Sequence, residues 1–102
     1  MDIETYDKFV DQLVGPGARK YPVIYAGLKL AGEAGEVADE LGKAFRDDDG
    51  QITEDRLQKI KLELGDTLWY VFRLAKVLGL TVPEIMEANI KKLEERHGRK
   101  LT

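Results

Sequence analysis

A chain of 102 residues, 43% hydrophobic and 34% charged, has the size of one domain, near the lower end of what holds a core unaided. Its 19 acidic against 16 basic residues give a formal net charge of −3, the wrong sign for a surface that binds a nucleic-acid polymer. The lack of cysteine excludes disulfides, thiolate catalysis and cysteine-ligated zinc, and with no basic leader and no long apolar run the expectation is a cytoplasmic protein without a membrane span.

Strand signals are nearly absent, and the pattern predicts four helices without repeat or linker. The first, about residues 3 to 14, carries Tyr6, Phe9, Val10, Leu13 and Val14 at helical spacing and is broken by Gly15-Pro16-Gly17. After Pro22 a second helix carries Leu30, Ala34, Val37, Leu41 and Phe45 as an apolar stripe, and Asp47-Asp48-Asp49-Gly50 ends it. The third, about 54 to 79, takes Leu57, Ile60, Leu64, Leu68, Val71, Ala75 and Leu78 as its inner face, with Gly79 as a C-terminal cap. Thr81-Val82-Pro83-Glu84 starts the last helix: Thr as N-cap, Pro in the first turn, Glu three residues after the cap. It runs to about His97-Gly98.

Leu62, Trp69, Phe72 and Val77 lie off the inner stripe of the third helix, so that helix is apolar over much of its circumference. A lone domain this small cannot bury a helix all round. The expected fold is therefore all-α, an antiparallel bundle of about four helices completed by homo-oligomerisation, as a dimer or tetramer. The plainer alternative packs Trp69 and Phe72 under the first helix.

Four carboxylates form two matched pairs, Glu33 and Glu36 on the second helix, Glu63 and Asp66 on the third. Spacing i, i+3 puts the members of a pair about 60° apart on one helix face. One E-x-x-E in a charged helix usually belongs to a solvated face, here with Lys29, Lys43, Lys59 and Lys61 as loose partners. Two pairs on helices that return past each other bring four negative charges together, and a hard divalent cation, Mg²⁺ or Mn²⁺, is the simplest counter-ion. Gly32, Gly35 and Gly65 interrupt those helices and mark places where backbone or ligand comes close. On the last helix Asn89, Lys92 and Arg96 fall on one stripe, and its cations suit phosphate oxygens. Acids with metal beside cations are the equipment for cleaving a phosphoanhydride.

The runs AGLKLAGEAGEVADEL, KLELGDTLWYVFRLAKVLGL and EANIKKLEERHGR resemble the MazG-like nucleotide pyrophosphohydrolases of the all-α NTP pyrophosphohydrolase superfamily, over about residues 25 to 99. The resemblance implies a single MazG-like domain over 1–102. It implies cleavage of a nucleoside or deoxynucleoside triphosphate to the monophosphate and pyrophosphate, as nucleotide-pool house-cleaning. Glu33, Glu36, Glu63 and Asp66 become the Mg²⁺ ligands, and Asn89, Lys92 and Arg96 the nucleotide contacts. Water attacks the α-phosphorus, one carboxylate serves as base with Glu36 foremost and Glu33 beside it, and the nucleobase packs on an aromatic ring, with Trp69, Tyr6 and Tyr25 as candidates.

Two readings compete. Glu94-x-x-His97 is half of a di-iron motif, but His97 is the sole histidine, at a helix end. A non-enzymatic helical interaction module would leave the acids solvated. Asp47-Asp48-Asp49-Gly50 is no EF-hand, since Phe45 and Arg56 would stand at its first and last ligand positions, and GLKLAGEAGE contains no P-loop.

Overall fold

The first helix, α1 (Ile3–Val10), starts where the Asp2 carboxylate accepts from the Thr5 N–H at 2.8 Å, a side-chain N-cap. These features come from a computed structural model that describes residues 1–15 and 18–101. Of the expected Gly15-Pro16-Gly17 break, Pro16 and Gly17 lie outside the described residues. α1 ends four residues before the expected limit. The Val10 carbonyl, which a longer helix would offer to the Val14 N–H, accepts instead from the Arg73 guanidinium.

Pro22 opens α2 (Pro22–Asp47), its fixed φ suited to the first helical position. Asp49 (φ 54°) and Gly50 (φ 76°) then take left-handed conformations and return the Gly50 N–H to the Ala44 carbonyl at 3.0 Å. Thr53 caps α3 (Glu54–Val77) by accepting from the Arg56 N–H, and Gly79 (φ 77°) lies just beyond its end. The expected capping box starts α4 (Val82–His97): Glu84 N–H donates to Thr81 Oγ1, and Thr81 N–H donates to the Glu84 carboxylate. The protein is all-α, with four helices and no strand among the described residues.

α2 and α3 form an antiparallel hairpin. Its seam has alternating spacings of three and four, the coiled-coil rhythm. On α2 it runs Ala26, Leu30, Glu33, Val37, Glu40, Ala44; on α3, Arg56, Ile60, Glu63, Thr67, Tyr70, Leu74, Val77, all buried or half-buried. The expected inner stripes are only partly right. Leu30, Val37, Ile60, Val71 and Ala75 do turn inward, but Ala34, Leu41, Leu57, Leu64, Leu68 and Leu78 are exposed, and Phe45 is 81% exposed. Polar side chains take the seam positions that apolar residues were expected to fill. Arg56 makes this tolerable at the loop end: its guanidinium donates to Glu40 at 2.8 Å and Asp48 at 3.0 Å.

α1 lies on α3. Val10 is fully buried, Phe72 is nearly so, and Tyr6 meets Phe72 edge-on with ring centroids 4.9 Å apart. The plainer alternative therefore holds for Phe72: it lies off the expected inner stripe and is a core residue under α1. α4 buries no residue. No described helix is long and apolar enough to cross a membrane.

Candidate metal centre and nucleotide pocket

The hairpin seam brings acids from both helices together. Carboxylate oxygens of Glu33, Glu63 and Asp66 lie within 4.8 Å of one another. Glu33 and Glu63 are half-buried in the seam and Asp66 is at its exposed edge. Burial, then the charges of Asp66, Glu36, Glu33 and Glu40, push the Glu63 carboxyl above its ordinary range. A carboxyl that resists ionisation because it is buried among other carboxylates is short of positive charge. Three hard oxygen donors at this separation suit a divalent cation of the Mg²⁺ or Mn²⁺ class.

Glu36 stands outside that three-carboxylate group. It is exposed, one position off the seam, and acts on Glu63 through its charge. Lys29 reaches the cluster, with its ammonium 3.6 Å from the Glu33 carboxylate and 5.6 Å from the Tyr70 ring centre. Tyr70 and then Glu33 hold that ammonium above its usual range. The three glycines have no packing role within the subunit, for a Cβ on Gly32, Gly35 or Gly65 would meet nothing within 4 Å.

A cleft of about 520 Å³ opens beside the acids. Glu33 and Asp66 line it together with the rings of Tyr25, Trp69 and Tyr70 and with Leu13, Val14 and Gly15. Of the three expected aromatic candidates, Trp69 and Tyr25 are in the cleft. Tyr6 supports Trp69 instead, edge-on at 6.0 Å, and its hydroxyl lies 3.5 Å from the Gly65 carbonyl. Burial, then the Asp66 charge, push the Tyr6 phenol up.

Asn89, Lys92 and Arg96 share a stripe of α4, but all three are exposed and none lines the cleft. Within one subunit they are not brought to the acids. Glu94 of the di-iron alternative accepts from the Leu101 N–H at 2.9 Å, and neither it nor His97 joins the acidic group. Asp48 of the calcium-like run serves Arg56. Sequence reasoning gave no site role to Tyr70 or to the Leu13–Gly15 wall, and it treated Lys29 as a loose surface partner. Tyr70, seven residues after Glu63, was open to discovery through the seam rhythm; the wall leaves no such periodic trace.

The 93 residues that align with the Gene 37 protein of Mycobacterium phage L5 are 38% identical to it, over 87% of this chain and 82% of that protein. No solved structure matches the chain. The model of the MazG nucleotide pyrophosphohydrolase domain matches residues 26–100, a span that holds all four paired acids, Lys29, Trp69 and Tyr70. Enzymes of this kind generally depend on a divalent metal, and the acidic group here offers one a place. By the extent of that match, and with the acid cluster at the centre of it, the chain belongs to the MazG nucleotide pyrophosphohydrolase family.

Proposed function

We propose that this protein is a Mg²⁺-dependent pyrophosphohydrolase of nucleoside and deoxynucleoside triphosphates, releasing the monophosphate and pyrophosphate. The whole chain would act as one domain in the cytoplasmic nucleotide pool. The observation that carries this reading is the convergence of Glu33, Glu63 and Asp66, with Glu63 held partly against ionisation, at the edge of an aromatic cleft. A divalent cation bound there supplies charge neutralisation on the phosphates and makes the attacking water easier to deprotonate.

The chain's own residues then divide the work. Glu33, Glu63 and Asp66 hold the ion, and Glu36 completes the set or takes the proton of the water that attacks the α-phosphorus. Its exposure and its place outside the three-carboxylate group favour the second role. Lys29, whose ammonium lies 3.6 Å from the Glu33 carboxylate, would be free to meet phosphate oxygens if an ion took that carboxylate. Trp69, with Tyr25 and Tyr70, offers the nucleobase a face. Asn89, Lys92 and Arg96 contribute only if α4 packs against a site, which requires the homo-oligomer favoured by the exposed leucines of α3.

The test is pyrophosphate release from a panel of ribo- and deoxynucleoside triphosphates, with Mg²⁺ and with EDTA. Wild type is expected to release pyrophosphate only with the metal, and Glu36→Gln to fall by about 10³-fold or more, as for loss of a general base with its ligand charge. Metal-independent release, or full activity in Glu36→Gln, would sink the assignment.

A further inference from the structure

Arg73 lies one turn beyond Trp69 on α3, and its guanidinium crosses to the chain leaving α1. It donates to the carbonyls of Val10 and Leu13, the latter at 3.4 Å. Three residues on, the Lys76 ammonium bridges Asp7 and Asp11, 2.9 Å from each. Eight residues are too few for a helix to be stable by itself, so α1 depends on these ties and on burial of Val10. Between Asp11 and Val14 burial gives little help, because Leu13 is 71% and Val14 45% exposed; the next buried residue among those described is Ala18, whose N–H donates to the Gly15 carbonyl at 3.1 Å. Yet Leu13, Val14 and Gly15 line the cleft that Trp69, Tyr25 and the acids also line. The wall approaches the rings closely: a Cβ on Gly15 would stand 3.3 Å from the Tyr25 hydroxyl.

We infer that Arg73 is a positioning residue for nucleobase selection: by holding the Val10 and Leu13 carbonyls it sets the Leu13–Gly15 wall against the aromatic side of the cleft. This rests on the nucleotide reading above. The wall and α1 precede the span that matches the family model, residues 26–100, so the clamp joins this chain's N-terminal segment to the shared domain. Acids and cation take the phosphate end, and an aliphatic wall facing rings suits the flat, apolar faces of a base. Arg73 touches no reacting atom in this scheme. It acts through Leu13.

The test compares wild type, Arg73→Met, Arg73→Lys and Leu13→Ala in full-length protein, using Mg²⁺-dependent pyrophosphate release from the four common deoxynucleoside triphosphates. Quenching of Trp69, the single tryptophan, reads binding in parallel. Arg73→Met is expected to raise KM for the favoured nucleotide about ten-fold, the worth of a charge-assisted hydrogen bond, with kcat within about two-fold. The ratio of kcat/KM between best and worst base narrows, the Mg²⁺ dependence stays that of wild type, and Arg73→Lys recovers part of the loss. Leu13→Ala, at an exposed position that does not endanger folding, narrows the same ratio and decides the matter if Arg73→Met fails to fold. An unchanged best-to-worst ratio in Leu13→Ala, or a loss in Arg73→Met that appears in kcat and in Mg²⁺ dependence alone, overturns the inference. A wild type that releases no pyrophosphate from any nucleotide overturns the nucleotide reading and this one with it. An active wild type with unmoved variants removes the roles of Arg73 and of the Leu13–Gly15 wall and leaves the nucleotide reading standing.

Discussion

Glu63 is the residue on which the chemistry and the stability of the site pull in opposite directions. Burial and four neighbouring carboxylates raise its proton affinity, so in metal-free protein its charge opposes folding, and a cation reverses that sign. Glu63→Gln is therefore expected to leave the EDTA-treated protein as stable as wild type or more so, while abolishing pyrophosphate release. Glu36→Gln should behave likewise. The wild-type Tm should rise by about 10 °C with Mg²⁺ at about 100-fold its Kd, and hardly at all in Glu63→Gln. A marked fall in the metal-free Tm of either variant would point to a structural ion pair instead. Glu33, Glu63 and Asp66 were legible as a group because i, i+3 pairs on successive helices declare a common face, although Glu36 of those pairs stands outside it. Lys29 was not, since one lysine among many carries no mark; Tyr70 was open to reading through its spacing from Glu63, but its place beside Lys29 depends on the hairpin register.

At the scale of the helices, the seam between α2 and α3 is set by polar residues where a core was expected. The number and order of the helices were readable from Pro22, Gly79 and the Thr81–Glu84 box, since capping is local chemistry, whereas the side-chain caps of Asp2 and Thr53 emerge only in the structure. The packed face of α3 was not, because the seam that carries Arg56, Glu63, Thr67 and Tyr70 lies about one residue from the more apolar stripe of Leu57, Leu64 and Leu68, and register decides between them. Arg56 helps decide it. Its guanidinium, with Glu40 and Asp48, is largely buried at the loop end of the seam, and the hydrogen bond to Arg56 is the main cause that lowers the Glu40 carboxyl below its ordinary 4.5. A carboxyl depressed in the folded state stabilises fully above its unfolded value and loses that contribution as pH falls through the folded one. Arg56→Met should accordingly be less stable than wild type at neutral pH, with a gap constant down to about pH 4.5 and shrinking below it. Urea unfolding at stepped pH measures this; a gap that stays constant into strong acid would mean that the pair does not control the register.

The whole subunit is incompletely buried. Its core among the described residues is Val10, Ala18, Ala26, Ala44, Ile60, Phe72 and Ala75, mostly alanines. The radius of gyration is 16.4 Å, where a compact domain of this length has about 13 Å. Leu57, Leu64, Leu68 and Leu78 form an exposed stripe along α3, and Met86 and Ile90 of α4 are open as well. Each of these leucines is about half exposed and so forgoes a like share of the roughly 1.5–3 kcal/mol that full burial contributes, a loss a small domain can ill sustain. Association of copies through this stripe would recover it, and would give α4 something to pack on. Only then could Lys92 and Arg96 approach phosphate groups, since within one subunit they stand clear of the cleft. The proposed oligomer thus ties stability to activity. Leu64→Glu and Leu68→Glu should convert a dimer or tetramer to monomer in sedimentation velocity, and should cut pyrophosphate release in step with the monomer fraction. Arg96→Ala should lower kcat/KM by about 10²-fold while leaving the sedimentation coefficient unchanged. A wild type that sediments as a folded monomer with full activity would remove both the oligomer and any phosphate role for α4, leaving Lys29 as the cation that must serve the site.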